Sequence, residues 1–231
     1  MTEALKELFL ASFSDPKEVV DEIFKNFVTE KNAFFICDSG RPVSAMYAVE
    51  KKIRIKGKRY PLPFIMGVST YPEYQGKGLS TKLMGEALNT LSDAPFVMLG
   101  TAIPDFYRRT GFANVSYSCE TKNLEKGEEI TADKMLEFYE RVVKKGDYYI
   151  EWSLEDFEKR RILGKKANAP FGYLLREGKI CGFSDGQETV DENPEKISSF
   201  TMARIVSLKT VAEIAENLPF TFRLADPIIK E

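Results

Sequence analysis

Residues 63–81, PFIMGVSTYPEYQGKGLST, decide the fold of this chain. The run PFIMGVST is β-prone, and Gly76 and Gly78 punctuate a short turn. An amphipathic stretch (Leu79, Leu83, Met84, Ala87, Leu88, Leu91) then follows at helical spacing. A strand that delivers a glycine turn to a helix N-terminus is a ready site for phosphate. The first N–H groups of a helix have no intrahelical partner, the helix dipole is positive there, and glycine lets the backbone approach an anion. That physics points to a polyphosphate without naming one.

The spacing narrows the choice. A Walker loop needs its two glycines further apart, with Lys-Ser/Thr directly after the second. A dinucleotide fingerprint needs three spaced glycines and an acid further on. Neither is present. The run 94–102, APFVMLGTA, reads as a second strand, and Phe106, Tyr107, Gly111 and Phe112 follow as Phe-Tyr-x-x-x-Gly-Phe. The pattern Gln75-x-x-Gly78-x-Ser80, with this second motif after it, resembles the GCN5-related N-acetyltransferases (GNAT superfamily). Their loop reads Gln/Arg-x-x-Gly-x-Gly/Ala. Ser80 departs from it but is still small enough for close backbone approach.

The resemblance implies acetyl-CoA as cosubstrate and assigns residues to it. Gln75, Gly76, Lys77, Gly78, Leu79, Ser80 and Thr81 would surround the pyrophosphate. Gln75 carries no charge and can only hydrogen-bond there, leaving Lys77 and Lys82 as sources of positive charge. The main chain of Val68, Ser69 and Thr70 would meet the pantetheine arm, with an N–H near the thioester carbonyl. Ala102 and Ile103 would line the same arm. Tyr107 would be the general acid that protonates the departing thiolate. Plainer structural readings stand beside these: a simple strand-helix turn, a buried strand, and, for Tyr107, a packed aromatic in a chain with 17 Phe and 10 Tyr.

The whole chain sets limits. It has 231 residues, 43% hydrophobic and 29% charged, enough for one good core and a smaller second one. The net charge is −2, and the cluster Arg54 to Arg59 reads as a solvated hairpin tip, so nucleic acid is not an expected partner. No stretch approaches the length of a membrane span, and the N-terminus lacks the basic and apolar regions of a signal peptide. Cys37, Cys119 and Cys181 lie far apart, which reads as reduced thiols in the cytoplasm rather than a disulfide frame or a zinc site. There is no histidine, which removes Ser-His-Asp and Cys-His catalysis and the usual zinc hydrolases. No metal is expected. Acetyl transfer to an amine can do without imidazole, because the positioned amine is itself the nucleophile.

The predicted element order over 1–122 is α-α-β-β-β-α-β-α-β: an α+β fold with a mixed, mostly antiparallel sheet flanked by helices. Helices are expected over 3–13 and about 17–29, with Ser14-Asp15-Pro16 between them, and hairpins turn at Asp38-Ser39-Gly40 and Lys56-Gly57-Lys58. The acetyltransferase family opens with a strand before its first helix, whereas this chain begins almost directly in the helix. Residues 123–231 form a smaller α+β region: helices at 131–145 and 153–163, a hairpin turning at Glu177-Gly178, a polar loop from Asp185 to Ser199, then strand, helix, strand. Tyr148, Tyr149 and Trp152 are read either as walls of a substrate pocket or as an interdomain contact. The phrases Met202-Ala-Arg204-Ile-Val206 and Phe222 to Asp226 resemble the opening of the sterol-carrier-like domain of Eis-type acetyltransferases. That branch implies a primary amine acceptor, on a small molecule or a peptide or protein lysine, and leaves a homo-oligomer open. No general base is identifiable. Glu50, Glu73 and Asp15 qualify by type alone, and Glu231 would reach the site only in a complete Eis-type C-terminus. A non-catalytic acyl-CoA-binding protein and a lipid- or sterol-carrier-like module remain as alternatives.

Overall fold

The computed structural model describes residues 1–120, 125–144, 148–168, 171–185, 189–191 and 196–205. Apolar residues spaced three and four apart make helix α1 (Thr2–Ser12), which buries Leu5, Leu8 and Phe9. Pro16, the last residue of the expected break, is the N-cap of helix α2 (Lys17–Phe27). Val19, Val20, Ile23 and Phe24 form the buried side of α2, while Phe27 stays half-buried.

Strands β1 (Ala33–Asp38) and β2 (Arg41–Ile55) meet at Ser39 and Gly40, both at positive φ. Lys56 and Gly57, again both at positive φ, join β2 to β3 (Lys58–Thr70). Paired left-handed residues match the twist of the strands they connect, which is why Gly ends each turn. A single 3-10 turn (Pro72–Tyr74) leads to α3 (Leu79–Thr90), β4 (Phe96–Gly100), α4 (Pro104–Arg108) and β5 (Ala113–Glu120). The expected order over this part of the chain is the observed one.

Beyond it come β6 (Glu125–Lys126), α5 (Ala132–Val143), β7 (Tyr148–Glu151), α6 (Leu154–Lys166), β8 (Phe171–Arg176), β9 (Lys179–Asp185), β10 (Thr189–Asp191) and β11 (Lys196–Ile205). The stretch read as a polar loop from Asp185 to Ser199 therefore holds β10 and the start of β11. Pairing of β10 with β9 supplies backbone partners that no side-chain pattern announced. The tail beyond residue 205, including Phe222 to Asp226 and Glu231, lies outside the described residues, as do the linker residues 121–124.

Hydrogen-bonded neighbours in the larger sheet run β1-β2-β3-β4-β11-β5, with β7 against β2; a second sheet runs β10-β9-β8-β6. The architecture is α+β, with a mostly antiparallel sheet flanked by helices. The chain divides into two compact units. The first takes Met1–Lys51, Tyr60–Ala113 and, among the described residues, 202–205; the second takes Lys52–Arg59 and Asn114–Thr201.

Alternation along β2 in the first unit sends Met46 and Ala48 into a core with Ile65, Leu83, Met84, Ala87, Leu88, Val97 and Leu99. Tyr47 meets the rings of Phe9 in α1 and Phe24 in α2, at 6.3 and 5.4 Å between centroids. The second unit has its own core around Ile130, Met135, Phe138, Tyr139, Phe157 and Phe183, with Tyr149 and Trp152 packed on it. Those two aromatics are half-buried against that unit's own core. The hairpin tip at Arg54 and Arg59 is not merely solvated either, since both guanidinium groups bind the Glu151 carboxylate.

Candidate active site

The site begins where β3 leaves β4. These parallel strands pair only at Phe64↔Met98 and Ile65↔Leu99. Past that point Gly67 adopts φ +61, and a Cβ there would lie 2.7 Å from the Phe9 ring and 2.9 Å from the Tyr47 ring. Only glycine fits both the conformation and the space. The chain then runs on through Val68, Ser69 and Thr70 with no β4 partner in the register. Ser69 and Thr70 are buried, while Val68 is half-buried against the cluster that holds Tyr107.

Gly76 (φ 73) and Gly78 (φ 74) are left-handed, and Gly78 is the N-cap of α3. A Cβ at either would meet nothing within 4 Å, so their surroundings are open. Among the described residues, the N–H groups of Gly76 through Thr81 donate to no carbonyl. Six consecutive unpaired donors at the start of a twelve-residue helix make a cradle for a phosphate group. The residues present thus fit the polyphosphate end of a coenzyme A ligand.

Side chains hold this loop in place. The Gln75 amide donates to the Thr70 carbonyl at 3.0 Å, so it braces the loop rather than reaching outward. The Thr70 hydroxyl lies 2.8 Å from the Ser80 hydroxyl and 2.9 Å from that of Ser44. Ser80, the position that departs from the family pattern, is thereby tied back to the strand it follows. Ser44 was not singled out in the sequence, and nothing local to it could have signalled the link. Lys77 Nζ stands 4.7 Å from the centre of the Tyr74 ring, whose hydroxyl donates to Asp38 at 2.6 Å. Lys82 pairs with Glu86 on the exposed side of α3.

At the end of β4, Ala102 is exposed and Ile103 is 61% exposed, with the Ile103 N–H donating to the Thr101 hydroxyl. Tyr107 follows on α4, buried between Phe106 (4.9 Å between centroids) and Phe112 (6.1 Å). Burial raises its pKa above the ordinary tyrosine value, so the phenol stays protonated at neutral pH. Arg108 pairs with Asp105, and Arg109 is exposed. Glu50, Glu73 and Asp15 all lie on the surface. Among the described residues no group of three or more acidic or cysteine side chains could hold a metal ion.

Val68 after the parting of the sheet, Leu83 and Met84 of α3, and the buried Tyr107 of α4 all share one core cluster. The profile of the acetyltransferase (GNAT) domain matches residues 2–115. Over that span the chain belongs to the GCN5-related N-acetyltransferases, and it is an N-acetyltransferase of this type. No curated protein matches the chain. Among solved structures it is similar to an Enterococcus faecalis protein described as a "probable N-acyltransferase". The two share 16% identity at a TM-score of 0.68, over 91% of this chain and 71% of that one. It is also similar to Eis1 from Mycobacterium abscessus, with 12% identity, a TM-score of 0.65, and coverage of 93% and 73%. A GCN5-related N-acetyltransferase from Kribbella flavida has 16% identity, a TM-score of 0.58, and coverage of 88% and 69%. At these identities the likeness is one of fold.

Proposed function

We propose that this chain moves the acetyl group of acetyl-CoA to a primary amine, on a small molecule or a lysine side chain, by direct attack. The observation that carries the reading is the parting of β3 from β4 directly before the row of unpaired N–H groups at Gly76–Thr81. Those N–H groups hold the pyrophosphate, with Lys77 close by. The main chain of Val68, Ser69 and Thr70, released from β4, bonds the pantetheine arm, and one N–H there steadies the oxyanion. Ala102 and the exposed Ile103 cover the arm from the β4 side. Tyr107, neutral and desolvated, donates its proton to the departing sulfur. The amine arrives neutral, and the proton its nitrogen loses as the amide forms passes through water to the Tyr107 phenolate left by protonation of the sulfur, in keeping with a chain that contains no histidine.

We place the protein in the Eis-like branch, on the Met202–Val206 and Phe222–Asp226 phrases and the shared fold with the Mycobacterium abscessus protein. Residues 123–231 then form the reduced second region of that branch. Three cysteines far apart in the sequence accord with action in the cytoplasm, and no described helix is long and apolar enough to cross a membrane.

Calorimetric titration with acetyl-CoA tests the reading, on the wild type and on Gly78→Glu, which sets bulk and negative charge in the cradle. The expected result is saturable binding that Gly78→Glu abolishes, followed by turnover on an amine panel that Tyr107→Phe slows about a hundredfold or more. Absence of binding by the wild type would overturn the cosubstrate. Binding without turnover on any amine would identify an acyl-CoA-binding protein instead.

A further inference from the structure

Helix α4 is too short to orient Tyr107 by itself. It spans five residues, which leaves it almost no internal hydrogen-bond ladder. What fixes the tyrosine's backbone is the turn behind it. The Tyr107 carbonyl accepts from the Thr110 N–H (3.0 Å), the Thr110 hydroxyl (2.8 Å) and the Phe112 N–H (3.2 Å). That turn is gripped from outside by a residue far along the chain. Arg204, near the end of β11, donates from Nη1 to the Thr110 carbonyl. Its guanidinium also lies over Gly111, where a Cβ would sit 3.3 Å from Nε and 3.4 Å from Cζ. The φ of +84 is what requires glycine at 111, and the arginine side chain lies close over it.

We propose that Arg204 is a positioning residue for Tyr107, acting through the Thr110–Phe112 turn. The proposal rests on Tyr107 being the general acid. A guanidinium suits the role, because its rigid planar fork can bond the Thr110 carbonyl from Nη1 while Nε and Cζ lie close over Gly111. Small errors in the placement of a catalytic group are costly, so loosening this grip slows chemistry without touching the phosphate cradle. Arg204 falls within the Met202–Val206 phrase noticed in the sequence, where nothing pointed to the tyrosine turn.

The test is a double-mutant cycle on the full chain, with acetyl-CoA and an accepted amine. Arg204→Ala is expected to lower kcat on the order of tenfold to a hundredfold, with acetyl-CoA affinity by calorimetry unchanged. Arg204→Lys should restore only part of the rate. In the Tyr107→Phe background, Arg204→Ala should lower kcat no further. Hydrogen exchange gives a readout that needs no turnover: Arg204→Ala should speed exchange at the Thr110 and Phe112 amides and leave the α3 amides unaltered. If Arg204→Ala does not fold, Arg204→Lys carries both measurements. An unchanged kcat, a loss repeated in full in the Tyr107→Phe background, or unaltered exchange at Thr110 and Phe112 would each overturn the proposal. A Tyr107→Phe enzyme with wild-type kcat would instead overturn the general-acid reading beneath it.

Discussion

Of the three buried tyrosines in the first unit, Tyr71 accepts a hydrogen bond from Arg41, whereas Tyr47 and Tyr107 are held mainly by packing. Tyr107 packs between Phe106 and Phe112, and among the described residues nothing hydrogen-bonds its hydroxyl. Tyr47 is 0% exposed, and its hydroxyl is buried without a partner. Burial raises the pKa of both above the ordinary value of 10.0. A group whose folded pKa is raised stabilises fully below its unfolded pKa and loses that contribution as pH climbs through the folded value. Denaturant midpoints should therefore hold up to pH 10 and fall beyond it, as the unfolded tyrosines ionise and the folded ones do not. Tyr47→Phe should flatten that decline and raise stability by about 1 kcal/mol, because it removes an unsatisfied buried hydroxyl and keeps the ring. Denaturant titration at pH 7 and above pH 10 reads both effects.

Among the elements, the link that matters is the one between β3 and α3. The hydroxyl chain Ser44–Thr70–Ser80 joins β2, the end of β3 and the first turn of α3, at 2.9 and 2.8 Å. Thr70 is 9% exposed and Ser44 is fully buried, so the chain works in a poorly solvated place where an unmade bond is expensive. Thr70→Val preserves shape and removes both bonds. It should destabilise the protein by about 1–3 kcal/mol and raise the acetyl-CoA dissociation constant, since the helix N-terminus loses its tether. Thr70→Ser should restore most of the affinity. Equal affinity in wild type and Thr70→Val would mean that the Gln75 bond to the Thr70 carbonyl holds the loop without the hydroxyls.

Over the whole molecule, charge joins segments that are far apart in the chain. In the second unit, Glu151 of β7 binds Arg54 and Arg59, which flank the turn between β2 and β3. Burial pushes the Glu151 carboxyl upward, but its bonds to Arg59 and Arg54 outweigh that and hold its pKa below 4.5. A lowered folded pKa stabilises above the unfolded value and is lost as pH falls through the folded one. Glu151→Gln should therefore cost on the order of 1 kcal/mol at neutral pH and flatten the loss of stability below pH 4.5. Urea titrations of both proteins at neutral and acidic pH check this.

The sequence by itself determined most of the local elements and the row of open N–H groups before α3, because each rests on interactions within a few residues; β10, set by its pairing with β9, was an exception. Helical spacing places Leu83, Met84, Ala87 and Leu88 on one side of α3, and Gly76 and Gly78 permit the left-handed backbone that leaves N–H groups free. The two-residue turns at Ser39-Gly40 and Lys56-Gly57 were equally legible, and so was the hairpin at Glu177-Gly178. Tertiary structure alone decided what those elements do to one another. No pattern near Gly67 tells that the rings of Phe9 and Tyr47 close over it, and so that β3 must part from β4 there. Nor does any local signal link Ser44 to Ser80 through Thr70, Arg204 to the turn behind Tyr107, or Glu151 to Arg54 and Arg59. Contacts of that kind depend on which side chains the fold brings within 3 to 4 Å, a matter of packing geometry that one-dimensional spacing does not encode.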